Sequence, residues 1–207
     1  MKEVSTSFLK KGSYDEYIKM LNNSKTDYIH FDVMDGIFVD NTNLNNNDLI
    51  KYIDMSNKKN DVHLMVNNPL KYIDSLIGHK VEYITIHKEI DNYLEMINKI
   101  KTNGIKAGLA INPETKIEDI THILKDISLV LVMGVHPGKS GQKYLEETTN
   151  KINKLYDIKK ENNYNYKISV DGGVNEKVIS NLKNTDIIVS ASYILDDLNN
   201  IDILHNN

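Results

Sequence analysis

His30 and Asp32 stand two residues apart in Tyr28-Ile-His-Phe-Asp-Val-Met-Asp-Gly-Ile-Phe-Val39, an apolar run with the look of a strand, so their side chains leave the same face. Asp61-Val-His-Leu-Met-Val66 is a second such run carrying His63, and Ile168-Ser-Val-Asp171 a third, closed by Asp171 just before Gly172-Gly173. Two imidazoles and two carboxylates without sulfur suit zinc, iron(II), manganese or cobalt better than calcium. A divalent metal there would polarise a hydroxyketone carbonyl and stabilise the enediolate left when the neighbouring carbon loses its proton. The two carboxylates, on opposite faces of that planar species, could take a proton from one side and return it from the other. Asp35 reads as a turn cap rather than a reacting group.

A second constellation could hold a phosphate. Val135-His-Pro-Gly-Lys-Ser-Gly-Gln142, Asp171-Gly-Gly-Val-Asn175 and Ser190-Ala-Ser192 follow three successive apolar runs late in the chain. Loops of this kind bind phosphate through backbone N–H groups. The first of them lacks the spacing of a Walker A loop. Met34, Met65 and Met133 fall at the ends of runs that carry or flank the polar residues; as core filler they are unremarkable, and beside a metal they could keep water from a reactive intermediate.

Elements that would position these residues recur at a regular beat. Short β-branched runs occupy Val4–Phe8, Tyr28–Val33, Asp61–Met65, Tyr83–His87, Lys106–Ile111, Leu129–Val135, Lys167–Asp171 and Ile187–Ser190. Helical stripes lie between several of them: Tyr14, Ile18 and Leu21; Leu94, Ile97 and Ile100; Ile152, Leu155 and Ile158. Eight strands alternating with helices predict an α/β fold, a single-domain (β/α)8 barrel over residues 1–207, with an open doubly wound sheet as the alternative. The barrel is favoured because no Gly-x-Gly-x-x-Gly follows the first strand, and because the polar residues gather at carboxyl ends of separate strands. Two units are weak: Asn41–Asn47 is polar and loop-like, and the tail from Asp196 onward is short for an eighth helix.

Bulk composition narrows the function further. With 40% hydrophobic and 26% charged residues among 207, the chain is a soluble globular protein. It has no cysteine, which excludes a thiolate nucleophile, Cys-ligated zinc and disulfides. A net charge of −4 offers no basic face for nucleic acid, and all 25 basic residues are lysines. No apolar run approaches membrane-spanning length and the first residues lack a signal-peptide core, so a cytoplasmic location is expected, with no membrane partner.

The motifs, taken in order, resemble those of the ribulose-phosphate 3-epimerase family: Ser5-Thr-Ser-Phe-Leu9, His30-Phe-Asp-Val-Met-Asp-Gly36 with Phe38-Val39 and Asn41, Asp61–Val66 with Pro69, Ile84-Thr-Ile-His-Lys-Glu89, Gly108-Leu-Ala-Ile-Asn-Pro-Glu-Thr115, Val130–Met133 with Pro137-Gly138 and Gly141-Gln142, and Val170-Asp-Gly-Gly-Val-Asn175. The resemblance spans nearly the whole chain. It implies a TIM barrel of the ribulose-phosphate-binding type that interconverts D-ribulose 5-phosphate and D-xylulose 5-phosphate in the pentose phosphate pathway. It further implies one divalent metal per subunit held by His30, Asp32, His63 and Asp171, with Asp32 and Asp171 as the acid/base pair, and a homo-oligomer. Substrate would meet Ser7, His63, Met34, Met65 and Met133, and its phosphate would meet Gly138, Lys139, Ser140, Gly141, Gly172, Gly173, Ala191 and Ser192. A 3-epimerase of a hexulose 6-phosphate such as D-allulose 6-phosphate is the closest alternative, and a catalytically idle sugar-phosphate-binding barrel a more distant one. The chain departs from the family where Pro-Gly-Phe-Gly-Gly-Gln becomes Pro137-Gly-Lys-Ser-Gly-Gln142, where Gly-Ser becomes Ala191-Ser192, and where Thr6, Asp40 and Gly134 replace Pro, Pro and Thr.

Overall fold

Eight strands, all parallel, hydrogen-bond in chain order, and the first pairs with the last to close a barrel. This is a computed structural model, and it describes residues 1–8, 12–139 and 141–207. The strands are β1 (Glu3–Ser7), β2 (Tyr28–Met34), β3 (Lys59–Met65), β4 (Tyr83–His87), β5 (Lys106–Ile111), β6 (Leu129–Met133), β7 (Lys167–Asp171) and β8 (Ile187–Ser190). Around them lie α1 (Tyr14–Asn22), α2 (Asn46–Met55), α3 (Leu70–Leu76), α4 (Tyr93–Thr102), α5 (Glu147–Glu161), α6 (Glu176–Ile179), α7 (Ser192–Asp196) and α8 (Asn200–Asn206). The barrel expectation therefore holds and the open sheet does not.

Differences from the expected elements have local causes. Strand β6 stops at Met133, not Val135, because the Gly134 N–H donates to the Asp171 carbonyl at 2.6 Å and its own carbonyl accepts from Leu145 N–H, turning the chain. The polar stretch stays outside the helix up to Asn45, and α2 starts at Asn46: the Asn45 side chain accepts from Asp48 N–H at 3.0 Å, while Leu49 and Ile53 are buried. Between β5 and β6 no α-helix forms, and two 3-10 turns, Ile117–Ile120 and Leu124–Asp126, bury Ile117, Ile120 and Leu124 in its place. The short C-terminal tail splits into α7 and α8, which still bury Ile194, Ile201 and Leu204.

Inside the barrel the filling changes along the axis. Tyr28, Tyr83, Leu129 and Ile187, contributed by the four even-numbered strands, form one apolar layer. Higher up, buried positions on β1, β2, β3 and β7 turn polar, Ser5, Asp61 and Ser169, then His30, His63 and Asp32, while Ala110, Leu131, Met133 and Val189 on β5, β6 and β8 stay apolar. The lower layer closes the barrel and the upper ones hold the chemistry. Among the described residues no helix is long and apolar enough to cross a membrane.

Candidate active site and metal centre

Parallel register places the polar side chains against one another. Along the β2–β3 pair, His30 is level with Asp61 and Asp32 with His63. Side-chain contacts follow that register: His30 Nδ1 lies 2.7 Å from Asp61 Oδ2, and His63 Nδ1 lies 3.0 Å from Asp32 Oδ1. From β1, the Ser7 hydroxyl donates to Asp32 Oδ2 at 2.7 Å, and the Ser5 hydroxyl donates to Asp61 at 3.1 Å. From β7, Asp171 comes within 3.8 Å of His63 Nδ1.

His30, Asp32, His63 and Asp171 thus each offer one ligand atom, all within 4.8 Å of one another. The cluster fits a divalent cation. His30 Nε2 is fully buried with no hydrogen-bond partner although it lies 3.3 Å from Asp32 Oδ1, and a buried ring nitrogen left so is costly unless something accepts its lone pair. Neutral imidazoles and carboxylates are also the donor set such ions take.

Without a cation the electrostatics are uneven. Burial acts against charge on Asp32, but the His30 charge and the His30 and His63 ring nitrogens beside it outweigh it and hold the carboxyl below the usual carboxylate range. Burial also opposes charge on His30, yet Asp61 and Asp32 raise its pKa well above that of a free imidazole. Asp171 behaves in the opposite way to Asp32: burial, reinforced by the Asp32 charge, pushes its carboxyl up to about 7. Its side chain is also the more open of the two, 16% exposed against 3% for Asp32. Two carboxyls with pKa values driven apart are suited to opposite proton-transfer roles.

Both carboxylates border one cavity of about 290 Å³, which Ser7, Met65 and Met133 line as well. It runs on to Gly138, Lys139 and Gly141 after β6, Gly172 and Gly173 after β7, and Ala191 and Ser192 at the start of α7. Gly172 and Gly173 have φ of 104° and 71°, and a methyl on either would collide, with Val135 in one case and the Tyr144 backbone in the other. Those two positions demand glycine. Ala191 does not, since its φ is −112°. Ser140 lies outside the described residues. Met34, on the inward face of β2, is buried but does not line the cavity, and His30 and His63 sit behind Asp32 rather than on the cavity wall.

Other residues were not singled out as site residues from the sequence. In the sequence Asp61 is only the first residue of a strand run, yet in the fold it orients His30. Asn43 donates to the Asp32 carbonyl at 2.7 Å and accepts from Met34 N–H at 2.8 Å, fastening the loop to the end of β2. Asn41 donates to the Gly138 carbonyl at 2.5 Å, joining that loop to the one after β6. Their position after a strand end was the available signal, and the abundance of asparagine hid it. Asp35 is the expected turn cap: it accepts from Ile37, Phe38 and Asn67 N–H.

Beyond His63 a chain of groups continues away from the cavity, from the buried His87 out to the surface at Glu89. His63 Nε2 is 2.8 Å from His87 Nε2, and His87 Nδ1 is 3.0 Å from Glu89 Oε2. Glu89 Oε1 accepts from Asn112 N–H at 3.0 Å and from the Thr115 hydroxyl. Burial would raise the Glu89 pKa, but the hydrogen bonds from His87 and Thr115 bring it down to about 2. Burial lowers His87 to about 4.

A closed parallel barrel with a two-histidine, two-aspartate cluster near the carboxyl ends of its strands is the architecture of a (β/α)8-barrel enzyme. In fold it matches a chain of the tryptophan synthase complex from Pyrococcus furiosus with a TM-score of 0.71, at 12% identity over 100% of this chain and 98% of that one. Sequence goes further: a model of the ribulose-phosphate 3 epimerase family matches residues 3–195. The chain is 37% identical over 176 residues to a ribulose-phosphate 3-epimerase of Helicobacter pylori, covering 84% of this chain and 81% of the relative. It is 37% identical over 187 residues to the ribulose-phosphate 3-epimerase of Methanocaldococcus jannaschii, covering 88% and 79%. The chain belongs to the ribulose-phosphate 3-epimerase family and is an isomerase.

Proposed function

We propose that the chain epimerises carbon 3 of D-ribulose 5-phosphate to give D-xylulose 5-phosphate, the reaction of the pentose phosphate pathway, working in the cytoplasm. The observation that carries this reading is the single cavity that reaches from Asp32 and Asp171 to the glycine turns after β6 and β7 and the start of α7. A ketose phosphate laid along it puts its phosphate at the backbone of those turns and its carbonyl end beside the two carboxylates.

One carboxylate removes the proton from carbon 3 and the other, as a carboxylic acid, delivers a proton to the opposite face. The net result is inversion, with each aspartate exchanging its protonation state. Asp32, ionised and held by the Ser7 hydroxyl, is placed to begin as base, and Asp171 to begin as acid. A divalent cation held by His30, Asp32, His63 and Asp171 would stabilise the negative charge that develops on the substrate oxygens as the proton leaves. Met65 and Met133 present apolar, polarisable surface where water would otherwise protonate the intermediate from the wrong side. Lys139 adds a cation near the phosphate end.

Turnover measured on D-ribulose 5-phosphate and on D-allulose 6-phosphate tests the proposal. The pentulose phosphate should have the higher kcat/KM; a preference for the hexulose phosphate, or no turnover of either, overturns it.

A further inference from the structure

The geometry points to Glu89 and His87 as positioning residues that commit His63 to its Nε2–H tautomer and so aim the Nδ1 lone pair into the metal cluster. The inference rests on the metal-holding role proposed above for His63. Neither residue takes part in the reaction as described, His87 is completely buried, and neither lines the cavity.

Hydrogen accounting along the chain carries the argument. Glu89 Oε1 already receives two donors, Asn112 N–H and the Thr115 hydroxyl, which marks the group as an acceptor-only carboxylate. Its other oxygen, Oε2, faces His87 Nδ1 at 3.0 Å, so His87 must donate there. A buried ring of this kind, flanked by a second imidazole, carries one hydrogen, and its Nε2 is then an acceptor. The group facing that nitrogen, at 2.8 Å, is His63 Nε2, which has to be the donor. What remains on His63 is the Nδ1 lone pair, 3.0 Å from Asp32 Oδ1 and 3.8 Å from Asp171 Oδ2. A lone pair turned toward two carboxylates is repulsive by itself and becomes favourable with a cation among them.

His30 reaches the same end by a shorter route. Asp61 Oδ2 takes the hydrogen of Nδ1 at 2.7 Å and leaves Nε2 to the cluster. The two histidines therefore present opposite ring nitrogens, each fixed by a carboxylate, one directly and one through an intervening imidazole. The relay is itself braced. The His87 ring packs against Phe38 at 4.6 Å and against His63 at 5.0 Å between centroids. Lys151 donates to the carbonyls of Asn112, Pro113 and Thr115, tying down the loop that supplies the donors of Glu89.

Glu89→Gln is the informative substitution. Its amide can keep an oxygen toward Asn112 and Thr115 only by turning its NH2 toward His87, which reverses both hydrogen bonds of the relay and moves the His63 hydrogen onto Nδ1. Zinc affinity by chelator competition should fall about 10–100-fold with the circular dichroism spectrum unchanged, and Glu89→Asp, still an acceptor, should recover part of the loss. In zinc-loaded protein labelled with 15N-histidine, two-bond 1H–15N correlations should show His63 with its hydrogen on Nε2. This spectrum of the unmodified protein decides the matter even if the Gln variant does not fold. A hydrogen on Nδ1 with zinc on Nε2, or unchanged affinity in Glu89→Gln, overturns the relay while the metal site stands. Failure of the unmodified protein to bind zinc, cobalt or manganese overturns the metal site and the relay together.

Discussion

The two walls of the active cavity are built from different material. On the β1–β4 side, functional groups are side chains locked to other side chains at 2.7–2.8 Å: Ser7 to Asp32, His30 to Asp61 and His63 to His87. On the β6–β8 side, above the Met133 and Asp171 side chains, the wall is backbone, the turns at Gly138, Gly141 and Gly172-Gly173 and the start of α7, with the exposed Lys139 on its rim. On the first wall a change of residue type takes a specific donor or acceptor away from its partner. The second offers peptide N–H groups that any residue supplies where the φ and the space allow. Of the departures from the family pattern, Lys139 and Ala191 lie on the backbone wall, while Thr6 on β1 and Asp40 after β2 lie on the other side, and the four metal-site residues are intact.

That contrast breaks most directly at the carboxylates. Asp32→Asn or Asp171→Asn should lower turnover of D-ribulose 5-phosphate by roughly 10²–10⁴-fold, with the circular dichroism spectrum still that of a folded barrel. If one proton transfer survives, solvent deuterium should enter the substrate without epimerisation. Near-normal turnover in either variant would show that one carboxylate suffices and remove the two-base scheme.

Chelation is the next largest test. The barrel has an apolar layer of Tyr28, Tyr83, Leu129 and Ile187 below the site and an extensive core between strands and helices, so the fold does not depend on a metal in the way a zinc finger does. Dialysis against a chelator should abolish turnover and leave the secondary-structure spectrum intact, and zinc, cobalt or manganese should restore activity. Unchanged turnover in fully metal-free protein would contradict the role given to the cluster.

How much of this was legible in the sequence follows the same division. His30 and Asp32 could be placed on one face because strand periodicity is 2, and His63 and Asp171 because each stands near the end of an apolar run. What those residues touch could not be read, because pairing of His30 with Asp61 and of Asp32 with His63 depends on the β2–β3 register, a long-range property. For the same reason His87 and Glu89 were visible as a motif without a role. The helix at α2 was underestimated since its cap, Asn45, is one asparagine among many. The replacement of an α-helix between β5 and β6 by two 3-10 turns has no local signal.

A stability measurement sharpens the comparison from the side of cost. In metal-free protein Asp171 titrates near 7 when folded and near the ordinary carboxylate value when unfolded. Below about pH 4 it is protonated in both states, and above 7 it is ionised in both. Between the two the folded state keeps a proton that the unfolded state has released, so stability falls as pH rises through this window. At about 1.4 kcal/mol per pKa unit, the metal-free parent should lose a few kcal/mol between pH 4 and 7 relative to Asp171→Asn. Denaturant melts of the two proteins at several pH values check this. Parallel pH profiles would mean that burial at Asp171 is not penalising its charge.

The smallest expected effect lies on the backbone wall. Lys139 stands where the family carries an aromatic residue, on the rim of the cavity beside Gly138 and Gly141. Gln142 holds this loop by donating to the Lys139 carbonyl at 2.9 Å and to the His136 carbonyl at 2.7 Å, so the backbone stays in place when the side chain is shortened. An exposed ammonium facing a phosphate is screened by solvent and contributes about 1 kcal/mol. Lys139→Ala should therefore raise KM about fivefold at low salt and leave kcat near its parent value, because phosphate binding is the same in ground and transition states. Added salt should shrink the difference. Ala191→Gly provides the internal contrast: with φ at −112° the alanine imposes no backbone strain, and its replacement should leave KM where it was. A KM indifferent to Lys139 at low ionic strength would return that ammonium to solvent and leave the phosphate to the peptide N–H groups alone.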